Sequence, residues 1–164
     1  MTNERAEAFP MIRVQREDFD IGAELDKLTA GRSDIGGLAM FAGLVRDFVG
    51  KDKAAGAEVS AMTLEHYPGM TEKRLAEIEA EANKRWPLSA SLIIHRYGKL
   101  TAGERIVLVA CAAAHREDAF AACQFLMDWL KTSAPFWKQE DTATGPRWVE
   151  ADAKDDALAA RWKK

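Results

Sequence analysis

The stretch ERIVLVACAAAHREDAFAACQFLMDWLKTS, residues 104–133, carries the strongest structural signal in the chain. Residues 104–114 predict a strand, and residues 117–133 predict a long amphipathic helix that follows it directly. The apolar positions of this helix fall on one stripe at helical spacing: Phe120, Cys123, Leu126, Met127 and Leu130. A strand that leads into such a helix predicts a layer of helix packed on a sheet.

Strands and helices alternate along the rest of the chain. Further strands are predicted at residues 11–15, 36–45, 59–66, 91–98 and 146–151, and further helices at 20–30, 68–86 and 154–162. Residues 99–103, KLTAG, read as a hairpin connection between two strands. From residue 59 the order is strand, helix, strand, strand, helix, strand. This order predicts one α+β domain over residues 1–164, a mostly antiparallel sheet with helices on one face.

The composition excludes several classes of protein. The chain has 26 Asp and Glu against 23 Lys and Arg, a net charge of −3, whereas nucleic-acid-binding domains usually have a clear basic excess. No apolar run is long enough to span a membrane, and the start MTNERAEAFP resembles no secretion signal, so we expect a cytoplasmic protein. The spacing of Cys111, Cys123, His66 and His95 predicts neither a zinc site nor a disulfide framework.

The segment KTSAPFWKQE, residues 131–140, places two lysines around a proline. Pro135 should end the helix, and Phe136 and Trp137 should anchor the corner by burial, so that Lys138 sits on a fixed segment. On a helical wheel Lys131 lies beside Phe120 and Met127, where desolvation would lower the pKa of its amine. Alternatively, Lys131 simply complements the helix dipole and Lys138 is a solvated lysine.

A local anion site is a second hypothesis from the sequence. His115 and Arg116 stand at the predicted start of the helix, where free N–H groups attract anions, although Glu117 and Asp118 could satisfy that start without a ligand. Arg46 follows the glycine-rich strand and is a further candidate for binding an anion. The polar segment that follows, residues 46–58, is predicted to be a surface loop or a lid.

Five stretches of the chain form a distinctive set: LEHYPGMTEK (64–73), IIHRYGKL (93–100), AAHREDAF (113–120), LKTSAPFWKQE (130–140) and RWVEA (147–151). Together they resemble one family, the catalytic (large) subunit of molybdopterin synthase, also called the MoaE family. The resemblance runs from about Gly36 to Trp162, including a C-terminal helix within 152–164, and residues 1–35 match weakly. It implies the fold described for that family, an α/β hammerhead.

The resemblance also implies an activity. The family makes molybdopterin by placing two sulfurs on a cyclic pyranopterin monophosphate, precursor Z. The sulfur arrives as a thiocarboxylate on the C-terminal Gly-Gly tail of a small ubiquitin-like subunit. The large subunit is a homodimer at the centre of a heterotetramer. It holds no metal and no permanently bound cofactor, since precursor Z is the substrate and molybdopterin the product.

Roles for individual residues follow from the matching positions. The resemblance makes Lys131 and Lys138 the catalytic residues, with Lys131 in proton transfer. The substrate-binding positions are Arg46, His115, Arg116, Phe41, Met127, Gln139 and Glu140. In the family the His–Arg pair reaches the pocket of the neighbouring chain. Leu44 and Gln139 depart from the family, because other members have basic residues there.

Two other functions compete with this one. A persulfide sulfurtransferase would carry the sulfur on Cys111 or Cys123, which requires an exposed thiol in electropositive surroundings. A non-catalytic module would use the same basic pocket only to bind a small anionic ligand or a protein tail.

Overall fold

The computed structural model describes residues 11–47, 59–142, 145–149 and 153–163. The elements in chain order are β1 (Ile12–Gln15), α1 (Ile21–Thr29), β2 (Gly37–Leu44), β3 (Val59–His66), α2 (Met70–Arg85), β4 (Leu88–Arg96), β5 (Gly98–Thr101), β6 (Arg105–Ala113), α3 (Arg116–Ser133), β7 (Phe136–Thr142), β8 (Gly145–Val149) and α4 (Ala153–Ala160). The segment predicted as a loop or lid continues past Asp47 into residues 48–58, which lie outside the described residues.

The first sheet has the strand order β1-β4-β6-β2, in which β1 is parallel to β4 and the other neighbours are antiparallel. Successive side chains of β6 point to opposite faces. Val109 and Cys111 join the core formed with α2 and α3, whereas Leu108 and Ala110 pack with Leu28 of α1. The α+β class and the mostly antiparallel pairing are therefore confirmed. The helices, however, cover both faces of this sheet, because α1 packs opposite α2 and α3.

A second sheet, with the order β5-β3-β7-β8, was not expected from the sequence. Residues 99–103 were predicted to be a hairpin connection, but Gly98–Thr101 forms β5 and pairs with β3. Phe136 and Trp137 were predicted to anchor a corner and to hold Lys138 on a fixed segment, and the structure places all three in β7, which pairs with both β3 and β8. Residues 138–141, KQED, show no alternation of apolar and polar positions, because polar residues occupy both faces of β7. The sequence pattern therefore gave no signal for this strand.

Helix α3 lies on β2 and β6. Ala119, Ala122, Leu126 and Leu130 of this helix are buried. Phe120 was predicted to belong to the buried stripe, yet its side chain is 65% exposed. At 100° per residue Phe120, Met127 and Lys131 share a flank of the helix beside the buried face, which explains why Phe120 escapes burial. The same geometry places Lys131 at the border of the core.

Helix α4 is held against α3 by one carboxylate. Oδ2 of Asp128, a residue 8% exposed, accepts hydrogen bonds from Arg161 Nη2 at 2.6 Å, Arg161 Nε at 3.0 Å and Trp162 Nε1 at 2.7 Å. The Trp162 ring also packs edge-to-face on Trp86 and Phe125, with ring centroids 5.5 and 5.6 Å apart. A buried carboxylate with three donors, two of them from a cation, is well compensated, so α4 is fixed along the end of α3.

None of the helices in the described segments is long and apolar enough to cross a membrane. The interpretation of residues 1–164 as one domain stays a prediction.

The acidic residue Glu79 lies in the core between α2 and the first sheet. Its side chain is buried, and its Oε2 atom has no hydrogen-bond partner among the described residues. Burial raises the pKa of Glu79 to about 7 from 4.5, and the nearby Ser91 hydroxyl opposes this only in part. The folded state therefore binds a proton on this carboxyl more tightly than the unfolded chain does.

The substitution Glu79→Gln should make the protein more stable at pH 8. Because the folded pKa is raised, stabilisation by the protonated group is complete below pH 4.5 and is lost as the pH rises through 7. The loss is at most about 3 kcal/mol, since one pKa unit corresponds to about 1.4 kcal/mol. Urea unfolding at pH 5 and pH 8 measures the effect, with the exposed Glu17→Gln as control. An equally steep loss of stability in Glu79→Gln would contradict the assignment.

Candidate functional site

The two candidate lysines lie on either side of a break between α3 and β7. Lys131 is in the last turn of α3, which ends at Ser133, and Ala134 adopts extended backbone (φ −74°, ψ 133°). This is the conformation that the residue before a proline prefers, and Pro135 then leads directly into β7. The prediction that Pro135 ends the helix is confirmed. Lys138 is consequently carried by a paired strand rather than by a loop.

The alternation of β7 sorts its side chains between two faces. Phe136, Lys138 and Glu140 share one face, and Trp137 and Gln139 lie on the other. On the first face Lys138 pairs with Leu64 of β3 and Glu140 with Met62, both of which are buried. Glu140 itself is buried. Glu140 thus shares a face with Lys138, whereas Gln139 does not. Substrate-binding roles for Glu140 and Gln139 stay predictions.

Lys131 lies in a positively charged environment. Although its side chain is exposed in the single chain, surrounding protein atoms desolvate the ammonium group and lower its pKa below the usual 10.5. The positive charges of Lys138 and Arg46 lower this pKa further, and the carboxylate of Asp155 in α4 opposes them. The sequence predicted a lowered pKa but attributed part of the desolvation to Phe120, which is too exposed to cause it.

Arg46 reaches this group from the end of β2. The residue before it, Val45, is buried and is tied to the β5–β6 turn, since Val45 N–H donates to the Glu104 carbonyl at 2.9 Å and Gly103 N–H donates to the Val45 carbonyl at 2.8 Å. Helix α3 follows β6 and runs back alongside β2, so its C-terminal end lies at the end of β2. The fold therefore brings Arg46, Lys131 and Lys138 together within one chain.

His115 and Arg116 lie at the opposite end of α3. At a rise of 1.5 Å per residue, Arg116 is roughly 22 Å from Lys131 along the helix axis. Both residues are exposed and line a depression of about 350 Å³ with Gly36, Ala114 and Glu117. A Cβ atom at Gly36 would come within 2.1 Å of the Ala114 carbonyl oxygen, so only glycine fits there. One chain alone therefore cannot join the His–Arg pair to Arg46 in a single clamp.

The edge of the first sheet is apolar and open. Among the described residues β2 pairs with β6 alone, which leaves its other side unpaired. Its exposed large apolar side chains are Leu38, Met40, Phe41 and Leu44. An unpaired strand edge with exposed apolar side chains favours pairing with another chain. Pocket-lining roles for Phe41 and for the half-buried Met127 stay predictions.

The structure adds two histidines that the sequence did not assign to the site. The ring of His95 stacks on Phe136, with centroids 3.8 Å apart and an interplanar angle of 19°. His66 of β3 is the cross-strand partner of Phe136 in β7, and their ring centroids are 6.0 Å apart. The charge of Lys131 is among the causes that lower the pKa of His95. The spacing rules for metal ligands could not identify these residues. The strand alternation in IIHRYG could have indicated that His95 points to the same face as the buried Ile93.

The thiols have the opposite of a reactive environment. Cys111 and Cys123 are both buried, at 0% and 7% exposure. Burial raises the pKa of both, that of Cys123 to about 11, so neither is a thiolate near neutral pH. In the described part of the chain no three His, Cys, Asp or Glu side chains form a cluster that could hold a metal ion.

Known proteins match this chain over most of its length. A family model described as MoaE protein matches residues 14–133. A molybdopterin synthase catalytic subunit from Pseudomonas aeruginosa is 57% identical over 153 residues, which cover 93% of this chain and 99% of that protein. Among solved structures, a molybdopterin biosynthesis MoaE protein from Burkholderia ambifaria is 52% identical with a TM-score of 0.78, covering 95% of this chain and 99% of that one. The X-ray structure of molybdopterin synthase from Staphylococcus aureus is 27% identical with a TM-score of 0.76, covering 87% and 98%. This chain therefore belongs to the MoaE family of molybdopterin synthase catalytic subunits.

Proposed function

We propose that this chain transfers sulfur from the C-terminal thiocarboxylate of a small ubiquitin-like carrier to cyclic pyranopterin monophosphate, which forms the dithiolene of molybdopterin. Its membership of the family supports this activity. The observation that carries the proposal is the group formed by Lys131, Lys138 and Arg46, in which desolvation and like charges lower the pKa of Lys131. The protein needs no permanently bound cofactor for this reaction, and its cytoplasmic location stays a prediction.

Each of the three cations has a distinct task in this reaction. Both the thiocarboxylate and the substrate phosphate are anions, so Arg46 and Lys138 bind them by charge-assisted hydrogen bonds. The thiocarboxylate sulfur forms a bond to a side-chain carbon of the pterin, and the oxygen that leaves this carbon needs a proton. Lys131 supplies that proton, since a lysine with a lowered pKa exchanges protons near neutral pH. Hydrolysis of the acyl–sulfur bond then leaves the sulfur on the pterin and a carboxylate on the carrier, and a second thiocarboxylated carrier delivers the other sulfur in the same way.

A second copy of the chain completes the site. If two β2 edges pair antiparallel across a two-fold axis, the start of one β2 lies beside the end of the other. The start of β2 lies next to His115 and Arg116, because Gly37 pairs with Ala113. The end of β2 lies next to Arg46 and Lys131. This pairing brings the partner's anion-binding end of α3 to the lysines, and it covers the exposed apolar side chains of β2.

Replacing Lys131 should abolish conversion while binding persists. We expect Lys131→Ala and Lys131→Arg each to lower kcat by about 10²- to 10⁴-fold, since arginine keeps the charge but cannot release a proton. Single-turnover assays with the thiocarboxylated carrier and precursor Z measure the loss, and calorimetry measures carrier binding. Lys84→Ala, in the last turn of α2, is the matched control. Unchanged turnover in Lys131→Ala would leave a non-catalytic binding module as the better explanation.

Mixed dimers test whether the site spans two chains. Lys131→Ala and Arg116→Ala chains, co-expressed with different tags, form dimers in which one site lacks both residues and the other is intact. Such dimers should recover about half of the wild-type activity, because a two-fold dimer has two equivalent sites. Mixed dimers of Lys131→Ala with Lys138→Ala are the control and should stay inactive, since both lysines come from one chain. Inactive dimers in the first combination would refute the shared site.

Removing both thiols should leave the activity intact. The double variant Cys111→Ala, Cys123→Ala loses two buried small side chains, so it should unfold at a lower temperature. Its single-turnover yield of dithiolene at 20 °C should equal that of the wild type. Loss of product in a folded double variant would favour the persulfide mechanism.

A further inference from the structure

His95 connects the two sheets by its contact with Phe136, a residue that lies between the two candidate lysines in the chain. It lies near the end of β4 in the first sheet, and Phe136 is the first residue of β7 in the second. The two rings are nearly parallel at 3.8 Å, which is a close aromatic contact. His95 is 5% exposed, so this contact is almost completely removed from solvent. The stack therefore fixes the start of β7 relative to the first sheet.

Hydrogen bonds fix the orientation of the stacked rings. Nδ1 of His95 lies 2.8 Å from the Arg96 carbonyl oxygen, and because a carbonyl only accepts, this nitrogen carries the proton. The buried Arg96 guanidinium donates to the carbonyls of Arg16 and Arg105 at 3.0 and 2.9 Å. His95 itself pairs with Val14 of β1 and with Val107 of β6, so its backbone is held on both sides and the bond to Arg96 fixes its ring.

His66 gives Phe136 a second aromatic neighbour, since it is the cross-strand partner of Phe136 and the ring centroids are 6.0 Å apart. Its Nδ1 lies 3.1 Å from the Thr71 hydroxyl, which itself donates to the Tyr67 carbonyl at 2.9 Å. The His66 ring also contacts Tyr97, with centroids 4.5 Å apart. Phe136 consequently has ring neighbours on both β4 and β3.

Phe136 connects the two lysines both along the chain and in space. Along the chain, Phe136 follows Lys131 across the break at Pro135 between α3 and β7. Within β7 it shares one face of the strand with Lys138. A shift of Phe136 would move Lys138 with it, because the two residues are neighbours on one face of a rigid strand. The separation of the two ammonium groups therefore depends on where Phe136 is held.

We propose that His95 is a positioning residue, whose ring stacks on Phe136 and thereby fixes Lys138 beside Lys131. The inference rests on the proposed function for its catalytic meaning, but the spacing of the lysines can be measured without turnover. The pKa of His95 is lowered to about 4, chiefly by burial. The hydrogen bond to the Arg96 carbonyl raises this pKa, whereas electrostatic interactions with Lys131 and His66 lower it further. The ring is therefore neutral at working pH and adds no charge beside Lys131.

Loss of the stack should raise the pKa of Lys131. The groups that act on this amine are Lys138 from β7, Arg46 from the end of β2 and Asp155 from α4, in addition to its desolvation. Without the stack, Lys138 moves away from the amine. The weaker repulsion favours the protonated form of Lys131 and shifts its pKa towards 10.5.

The experiment compares His95→Leu and His95→Phe in the full-length protein. Acetylation by acetic anhydride over a range of pH, quantified by mass spectrometry of the Lys131 peptide, reports the pKa of this amine in the absence of substrate. His95→Leu should raise this pKa, and His95→Phe, which retains an aromatic stack, should leave it near the wild-type value. Phe136→Leu should reproduce the shift, and the double variant His95→Leu, Phe136→Leu should add nothing further, since both changes break one contact.

A control separates positioning from loss of stability. Leu92→Ala removes a buried side chain on the opposite face of β4 and should lower the melting temperature without moving the pKa of Lys131. The pH profile of kcat should show the same change as the labelling. The ionisation of Lys131 should appear at a higher pH in His95→Leu than in the wild type. An unchanged Lys131 pKa in His95→Leu, or an equal shift in Leu92→Ala, would overturn the proposal. Absence of turnover in the wild type with a normal labelling shift would instead refute the proposed function alone.

Discussion

The packing of α3 along β2 and β6 sets the positions of Lys131 and of the His115–Arg116 pair. Strand β6 is buried on both faces over most of its length, so α3 has one stable way to lie on it. That contact puts His115 and Arg116 at one end of the helix and Lys131 at the other, roughly 22 Å apart along the helix axis. The separation follows from the helix length, and it is the reason why the proposed site needs the His–Arg pair of a second chain.

A cationic site in an acidic protein has to be enforced by the fold. Lys131, Lys138 and Arg46 repel one another, and the repulsion is tolerated because each side chain is attached to a different packed element. Asp155, carried by α4, offsets part of that repulsion without forming a contact ion pair, which would neutralise the amine. In the proposed reaction the anionic substrates would restore the charge balance, so that substrate binding relieves the repulsion among these three residues.

Much of this arrangement could be predicted from the sequence, and the exceptions have physical causes. The α3 stripe and the proline that ends the helix gave correct boundaries, because helical periodicity and the geometry before proline are local properties. Strand β7 was missed, since its pairing with β3 is between distant parts of the chain and its residues 138–141 are polar on both faces. The role of His95 escaped for the same reason, because its partner Phe136 belongs to the other sheet. The distance between the His–Arg pair and the lysines could not be predicted either, because it depends on how the helix and the two sheets pack.

The Asp128 contact with α4 has a consequence for truncated chains. Its donors, Arg161 and Trp162, follow α4 and lie 33 and 34 residues beyond Asp128. A chain cut before Arg161 would leave a buried carboxylate without its cation, at a cost of roughly 3–5 kcal/mol, when a typical domain is stable by only about 5–15 kcal/mol. The segment that follows α4 therefore belongs to the same folding unit as α3 and cannot be trimmed as a loose tail.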